Sequence, residues 1–194
     1  MTNIATGQLP QFPARPWESR LSIPTCSSRP ATLDDLPFLR RLYHSFRKDE
    51  LDQVPWPQEH KTAFLDQQFD LQHRYYIAAF PQTDFLIIEK DGIPIGRLYI
   101  QMAADNWHVI DIGFLPEWRN QGIGSAILTG IQEAAIARQA SGIVLHVDQN
   151  NRRARDLYQA FGFKVADISD THIRMQWLAH PVSPEPPDAL AAVN

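Results

Sequence analysis

The chain has 194 residues, a length that predicts one domain. Its 44% hydrophobic and 21% charged residues are the mixture of an ordinary globular protein, and no apolar run approaches the roughly 18 residues that a membrane span needs. A net charge of −4 argues against binding to nucleic acid or to an anionic membrane, and a single cysteine, Cys26, excludes an internal disulfide. We therefore expect a cytoplasmic protein with neither nucleic acid nor membrane among its partners.

The prolines divide the chain into three parts. Nine of the 15 prolines lie within residues 1–30 and 181–194, although these ends hold less than a quarter of the chain. Proline fixes φ and removes a backbone donor, so it is uncommon inside helices and strands. The pattern predicts a flexible proline-rich segment at 1–28, one domain at 29–179 and a flexible proline-rich tail at 180–194.

The domain begins with two predicted helices. Thr32 and Asp35 have capping-box spacing, and apolar residues then recur at helical intervals to about Lys48. A second helix is expected from Gln58 to about Tyr75. Short apolar runs follow and predict strands with two further helices between them. The expected strands are 85–89, 95–100, 107–114, 143–147, 163–168 and 171–177, with one more near 21–29, and the later helices run from Gly124 to about Arg138 and from Arg153 to Phe161.

This order of elements predicts the fold class. Helices and strands do not alternate regularly, so a doubly wound parallel sheet is disfavoured. The strand at 107–114 is apolar on both faces, which is typical of a central strand covered on two sides. We expect an α/β (α+β) protein with a mixed, mostly antiparallel central sheet and helices on both faces.

The connection after this central strand carries the most informative chemistry. Gly122 and Gly124 lack a Cβ atom, so the backbone there can adopt a positive φ and approach a ligand closely. The free N–H groups of the following helix form an anion site, with Ser125 and Arg119 nearby. A third glycine for a Rossmann loop and a lysine for a P-loop are both missing. The loop suits a phosphate-bearing ligand, unless its glycines serve only a tight turn.

Two short segments match motifs of one known family. Residues 119–124 read Arg-Asn-Gln-Gly-Ile-Gly, and the later segment is Asn151, Ala154, Leu157, Tyr158 and Gly162-Phe163. These segments resemble the Arg/Gln-x-x-Gly-x-Gly/Ala and Asn-x-x-Ala-x-x-Leu-Tyr-x-x-x-Gly-Phe patterns of the GCN5-related N-acetyltransferase (GNAT) family. The resemblance covers roughly residues 28–178 and implies the GNAT acyl-CoA acyltransferase fold.

The resemblance also implies a reaction and a set of site residues. The reaction is direct transfer of an acetyl group from acetyl-CoA to a primary amine of a small molecule or peptide, with no metal. Tyr158 is implied to protonate the departing thiolate, and Asn151 to contact the cofactor. The backbone of Ile112, Gly113 and Phe114 is implied to pair with the pantetheine arm where two parallel strands splay apart. The other implied cofactor-binding residues are Arg119, Gln121, Gly122, Ile123, Gly124 and Ser125.

The proton acceptor for the amine is open between two histidines. The resemblance aligns His108 and His146 with positions at which different GNAT members carry a catalytic Glu. A neutral imidazole can accept a proton near pH 7, although a hydrogen-bonded core histidine also fits either position. A metal held by the pair is disfavoured because no further ligands stand at suitable spacing. By strand alternation, Asp111 points to the opposite face from His108.

Other functions and assemblies stay open at this point. The same fold can bind acyl-CoA as a signal or structural ligand without catalysing transfer, and amine-dependent release of the CoA thiol separates that binding module from an enzyme. The proline-rich ends can instead recruit a partner through short motifs. Neither the acceptor amine nor the choice between monomer and homodimer follows from the sequence.

Overall fold

The computed structural model describes residues 8–16, 21–103 and 105–179, so the predicted tail at 180–194 lies outside it. Within these ranges no helix combines the length and the apolar character needed to cross a bilayer. A single 3₁₀ turn precedes each of the helices α1 and α3. The strands are β1 Ser27–Pro30, β2 Asp84–Lys90, β3 Ile93–Met102, β4 Asn106–Phe114, β5 Gly142–Asp148, β6 Lys164–Ile168 and β7 His172–Leu178, and the helices are α1 Leu36–Asp52, α2 Gln58–Ala79, α3 Ile123–Ala137 and α4 Arg152–Ala160.

The strands of the described chain form one sheet in the order β1-β2-β3-β4-β5-β7-β6. Every neighbouring pair is antiparallel except β4 and β5, which run parallel. A parallel pair needs a crossover connection, and α3 provides it. The predicted mixed, mostly antiparallel sheet is therefore confirmed. The first two helices are longer than predicted, ending at Asp52 and Ala79.

Helices cover both faces of the sheet and create two hydrophobic cores. On the first face, α3 and α4 pack over a core that contains Trp107 and Val109 of β4 and Ile127 of α3. On the second face, α1 and α2 pack over a core that contains Leu42 and Phe69. We call these the α3 face and the α1–α2 face. The predicted placement of helices on both faces is confirmed.

Part of the predicted flexible N-terminal segment packs on the domain. Leu21 and Ile23 belong to the core of the α3 face, with exposures of only 4% and 7%. Phe12 packs against the core of the α1–α2 face, and Arg15 forms an ion pair of 3.0 Å with the buried Asp84. The domain thus begins earlier than predicted, because apolar residues spaced between the prolines supply the packing.

A β-bulge in β4 changes the direction of its side chains. Two consecutive residues of β3 pair with Asp111 and Val109, so Ile110 is an extra residue on β4. The Asp111 carboxylate contacts Tyr76 of α2, and the His108 ring contacts Phe80, the residue directly after α2. The prediction that Asp111 faces away from His108 is therefore wrong. Strict alternation does not continue across an inserted residue, and both side chains lie on the α1–α2 face.

Candidate active site

The loop between β4 and α3 has the backbone shape that its glycines predict. Asn120 and Gly122 have positive φ values of 63° and 77°. A Cβ atom at Gly122 would meet no atom within 4 Å, so the surface above this residue is open. Gly122 is needed for its backbone angle, whereas a Cβ at Gly124 would make only an ordinary contact of 3.7 Å with Leu157.

The start of α3 presents unpaired backbone donors at this loop. The first helical hydrogen bond runs from the Ala126 N–H to the Gly122 carbonyl over 2.9 Å. Five preceding amides donate no hydrogen bond to any described residue: those of Gln121, Gly122, Ile123, Gly124 and Ser125. Free N–H groups at the positive end of a helix dipole favour an anion such as a pyrophosphate. The predicted anion site therefore has its donors in place.

Beside this loop, β4 and β5 separate from each other. Their parallel pairing joins Asn106–Val109 to Gly142–Leu145 and then stops, although β4 continues to Phe114. Residues 110–114 consequently have no strand paired to their β5 side within the described chain. An unpaired strand edge can hydrogen-bond an extended ligand. This edge includes the residues that the resemblance assigns to the pantetheine arm.

Tyr158 of α4 reaches the gap between these two strands from the α3 face. Its side chain is 8% exposed, and its ring lies 5.9 Å from that of Phe163. The hydroxyl forms no hydrogen bond with any described residue. Burial and the charge of Asp111 raise the pKa of Tyr158 to about 12, so the phenol is protonated at neutral pH. Since Asp111 belongs to the opposite face of the sheet, its charge acts on the phenol from the other side of the sheet.

The two predicted base candidates meet on the α1–α2 face. His108 Nε2 lies 3.3 Å from His146 Nδ1, and the ring centroids are 5.4 Å apart. Burial lowers the pKa of both imidazoles, and the neighbouring charge of Arg174 adds to the effect. Both rings are therefore neutral at pH 7, the form that can accept a proton. The described residues contain no group of three or more side chains suited to hold a metal ion.

Asp111 is a site residue that the sequence patterns placed on the wrong face. Its Oδ2 atom accepts hydrogen bonds from Arg97 Nη2 at 2.7 Å and from the Tyr76 hydroxyl at 3.0 Å. The Arg97 side chain is 2% exposed, while that of Asp111 is 15% exposed. The sequence signal for a functional role was the presence of Asp111, a charged residue, in a mostly apolar strand. The bulge in β4 places Asp111 on the same face as His108.

Arg119 is turned toward the protein. Its Nε donates to the Phe114 carbonyl over 2.9 Å, and its Nη2 donates to the Ser45 hydroxyl over 3.3 Å. Burial lowers the pKa of this guanidinium, and the charge of Arg153 lowers it further. Arg153 in turn donates to the Asn120 side chain. The two arginines thus connect the glycine loop to the end of β4, to α1 and to α4.

Asn151 caps the helix that carries Tyr158. Its Oδ1 accepts a hydrogen bond from the Ala154 N–H over 3.1 Å. N-terminal backbone donors of a helix have no partner within the helix, and an asparagine at this position satisfies one of them. The side chain predicted to contact the cofactor therefore has a structural role as well.

Comparison with known families assigns the domain. The model of the Acetyltransferase (GNAT) family matches residues 39–163, well over half of the chain. The chain belongs to the GNAT family. The match includes the glycine loop, the splayed strands and Tyr158, so the predicted family is confirmed. The family is one of acetyltransferases, which agrees with the predicted reaction class, acetyl transfer from acetyl-CoA.

Two curated proteins illustrate the range of GNAT relatives. A candidate ribosomal protein bS18-alanine N-acetyltransferase from Bacillus subtilis (strain 168) is 31% identical over 88 residues, which are 45% of this chain and 58% of that protein. Thialysine N-epsilon-acetyltransferase from Bos taurus is 44% identical over 64 residues, which are 33% of this chain and 38% of that protein. The matched region thus spans less than two thirds of either relative.

Solved GNAT structures confirm the fold. PaiA N-acetyltransferase from Thermoplasma acidophilum, in complex with coenzyme A, has a TM-score of 0.60 at 17% identity over 79% of this chain and 98% of that one. The ribosomal-protein-S18-alanine N-acetyltransferase from Escherichia coli has a TM-score of 0.54 at 18% identity over 82% of this chain and 97% of that one. The predicted GNAT-like architecture is therefore observed.

Removing the cap of α4 is expected to destabilise this GNAT domain. Asn151→Ala should lower the free energy of unfolding by about 1 kcal/mol, because the Ala154 N–H loses its acceptor. Asn151→Asp keeps a capping oxygen and is the matched control. Denaturant unfolding of both variants measures the effect. Equal stability of the alanine variant and the native chain would show that the cap contributes nothing.

Proposed function

We propose that this protein transfers the acetyl group of acetyl-CoA to a primary amine. The observation that carries the proposal is the free edge of β4, which runs from the unpaired amides of the glycine loop to the gap beside Tyr158. The amides at the start of α3 hold the pyrophosphate of the donor, and residues 112–114 pair with its pantetheine arm. The thioester then lies between Tyr158 and the histidine pair.

Tyr158 acts as the general acid. Acetyl-CoA supplies a thioester whose carbon–sulfur bond breaks as the amine nitrogen forms its bond to the carbonyl carbon. The protonated phenol donates its proton to the departing sulfur, and solvent restores that proton after release. The absence of a hydrogen bond from the hydroxyl to any described residue leaves it available for this contact. The direct attack needs no covalent bond to the protein.

The histidine pair removes the proton from the attacking amine. His108 Nε2 and His146 Nδ1 face each other at 3.3 Å, so a proton taken by one ring can be shared with the other. His146 is exposed, so a proton that reaches its ring can pass to solvent. The two histidines therefore act together as one base that can pass its proton to solvent. This role agrees with the resemblance, which aligned both positions with a catalytic Glu.

The acceptor is a small-molecule or peptide amine, and we place the reaction in the cytoplasm, with the protein as a monomer or a homodimer. The relatives with matched regions are named for acetylation of an alanine of ribosomal protein bS18 and of the ε-nitrogen of thialysine, which supports an amine acceptor. The half-buried rings of Tyr76 and Phe80 line the acceptor side next to His108.

A panel of amines tests the proposed function. The full-length protein and acetyl-CoA are incubated with peptides, lysine, thialysine, polyamines and aromatic amines, and mass spectrometry detects the acetylated product. Acetylation of one class together with amine-dependent release of the CoA thiol is the expected result. Tight binding of acetyl-CoA with no transfer to any amine would instead indicate an acyl-CoA-binding module.

The pH dependence of turnover tests the histidine pair. With an alkylamine whose own ionisation is constant over the range, kcat/KM should fall only below pH 6.5, because the pKa values of His108 and His146 are lowered and both rings stay neutral above it. His108→Gln and His146→Gln, measured separately, identify the ring that accepts the proton. An acid limb at or above pH 6.5, or one that survives both substitutions, would contradict this role.

A further inference from the structure

The carboxylate of Asp111 is held by one oxygen only. Arg97 and Tyr76 both donate to Oδ2, and no described residue donates to Oδ1. A carboxylate can accept about four hydrogen bonds, so half of its capacity is unused. The 15% exposure of the side chain shows that the unused part reaches an accessible space.

The anchoring side of this carboxylate is rigid and buried. Arg97 lies at 2% exposure, and its guanidinium also donates to Gln72 over 3.2 Å and stands 5.1 Å from the Tyr99 ring centre. Tyr76 packs edge-to-face on Tyr99 with centroids 5.8 Å apart. The position of Asp111 is therefore fixed by packed side chains rather than by solvent.

Aromatic rings continue from this carboxylate to the histidine pair. The Tyr76 and Phe80 centroids are 6.1 Å apart, and Phe80 lies 6.1 Å from the His108 ring. All three rings are half-buried. A carboxylate beside partly exposed aromatic faces attracts a cation through both charge and ring quadrupole. The arrangement suits a desolvated alkylammonium group.

We propose that Asp111 Oδ1 binds the acceptor in its ammonium form, next to Tyr76 and Phe80, and delivers it to the histidine pair. This inference rests on the proposed function and defines its substrate class as primary alkylamines that are protonated at neutral pH. Asp111 binds the cation, and the ammonium proton leaves through His108 and His146. The neutral amine nitrogen then attacks the thioester carbon.

The same contact acts on Tyr158. The negative charge of Asp111 contributes to the raised pKa of the phenol in the free protein. A bound cation cancels that charge at the phenol and makes its proton easier to release. Arg97, Tyr76 and Tyr99 are the other titratable groups that face Asp111, and of these Arg97 and Tyr99 are fully buried. Acceptor binding thus prepares the acid for transfer.

The test measures binding without turnover. The full-length protein saturated with CoA is titrated with benzylammonium and with benzyl alcohol, its uncharged analogue of similar shape, and NMR shifts give both dissociation constants. The native chain is expected to prefer benzylammonium by tenfold or more. Asp111→Asn should abolish the preference, and the exposed Asp167→Asn, which changes the net charge equally, should keep it.

A second variant separates recognition from folding. Arg97→Met/Asp111→Asn removes the buried charge together with its partner, so no unpaired ion is left in the core. This variant should fold and still show no preference for the cation. A preference retained in either Asp111 variant, or absent from the native chain, would overturn the proposal. A failure of the amine panel alone would overturn acetyl transfer and leave this binding result standing.

Discussion

Replacing Tyr158 by phenylalanine is expected to lower kcat by about 10² to 10⁴-fold, the usual contribution of a general acid. The substitution removes only the hydroxyl, while the ring keeps its contact with Phe163 in the core. The departing sulfur then leaves as an unprotonated thiolate. Steady-state rates of CoA thiol release with a competent amine measure the loss.

Two controls make this result specific. Acetyl-CoA affinity should be unchanged in Tyr158→Phe, because the phenol proton is needed only when the carbon–sulfur bond breaks. Tyr43→Phe removes a buried hydroxyl from α1, away from the gap, and should retain full turnover. Full turnover in Tyr158→Phe would exclude the phenol as the acid and leave water as the proton source.

Removing the carboxylate of Asp111 is expected to produce the largest loss of stability. Asp111→Ala leaves the Arg97 charge buried at 2% exposure without its ionic partner, which should cost about 3–5 kcal/mol of unfolding free energy. Arg97→Met/Asp111→Asn removes both charges and should lie within about 1–2 kcal/mol of the native chain.

Urea unfolding of Arg97→Met, Asp111→Asn and the double variant that combines them gives the coupling between the residues. The signature of a buried ion pair is a double variant more stable than Asp111→Asn, because the unpaired charge is the dominant cost. Additive losses would show instead that the two side chains stabilise the sheet independently.

Local patterns were sufficient to predict the elements of this fold. Helical spacing from Thr32 and the apolar run into β4 both depend on residues that are close together in the sequence. The positive φ at Gly122 likewise follows from the residue type that the turn requires. The glycine loop and Tyr158 could be predicted as site residues because both belong to short motifs.

Long-range packing explains what local patterns did not predict. Leu21 and Ile23 pack into a core whose other residues are distant in the sequence. The distribution of prolines therefore could not show that these two residues are buried. The direction of Asp111 relative to His108 depends on an extra residue in the pairing of β4 with β3, which no alternation pattern contains. The lowered pKa values of the two histidines arise mainly from burial in the folded protein, which no local sequence pattern contains.

The bulge in β4 has a consequence for how this site can change. Ile110 is the extra residue, and Val109 is the last residue of β4 that pairs with β5. Bulges bend and twist a strand, so this insertion bends β4 away from β5 at the point where the donor slot opens. Deleting Ile110 would let β4 continue beside β5 and narrow this slot, whereas Asp111 would still pair opposite Tyr99 and keep its direction toward α2. The length of β4 at this point therefore controls the donor slot, while the direction of the acceptor-side carboxylate is independent of the inserted residue.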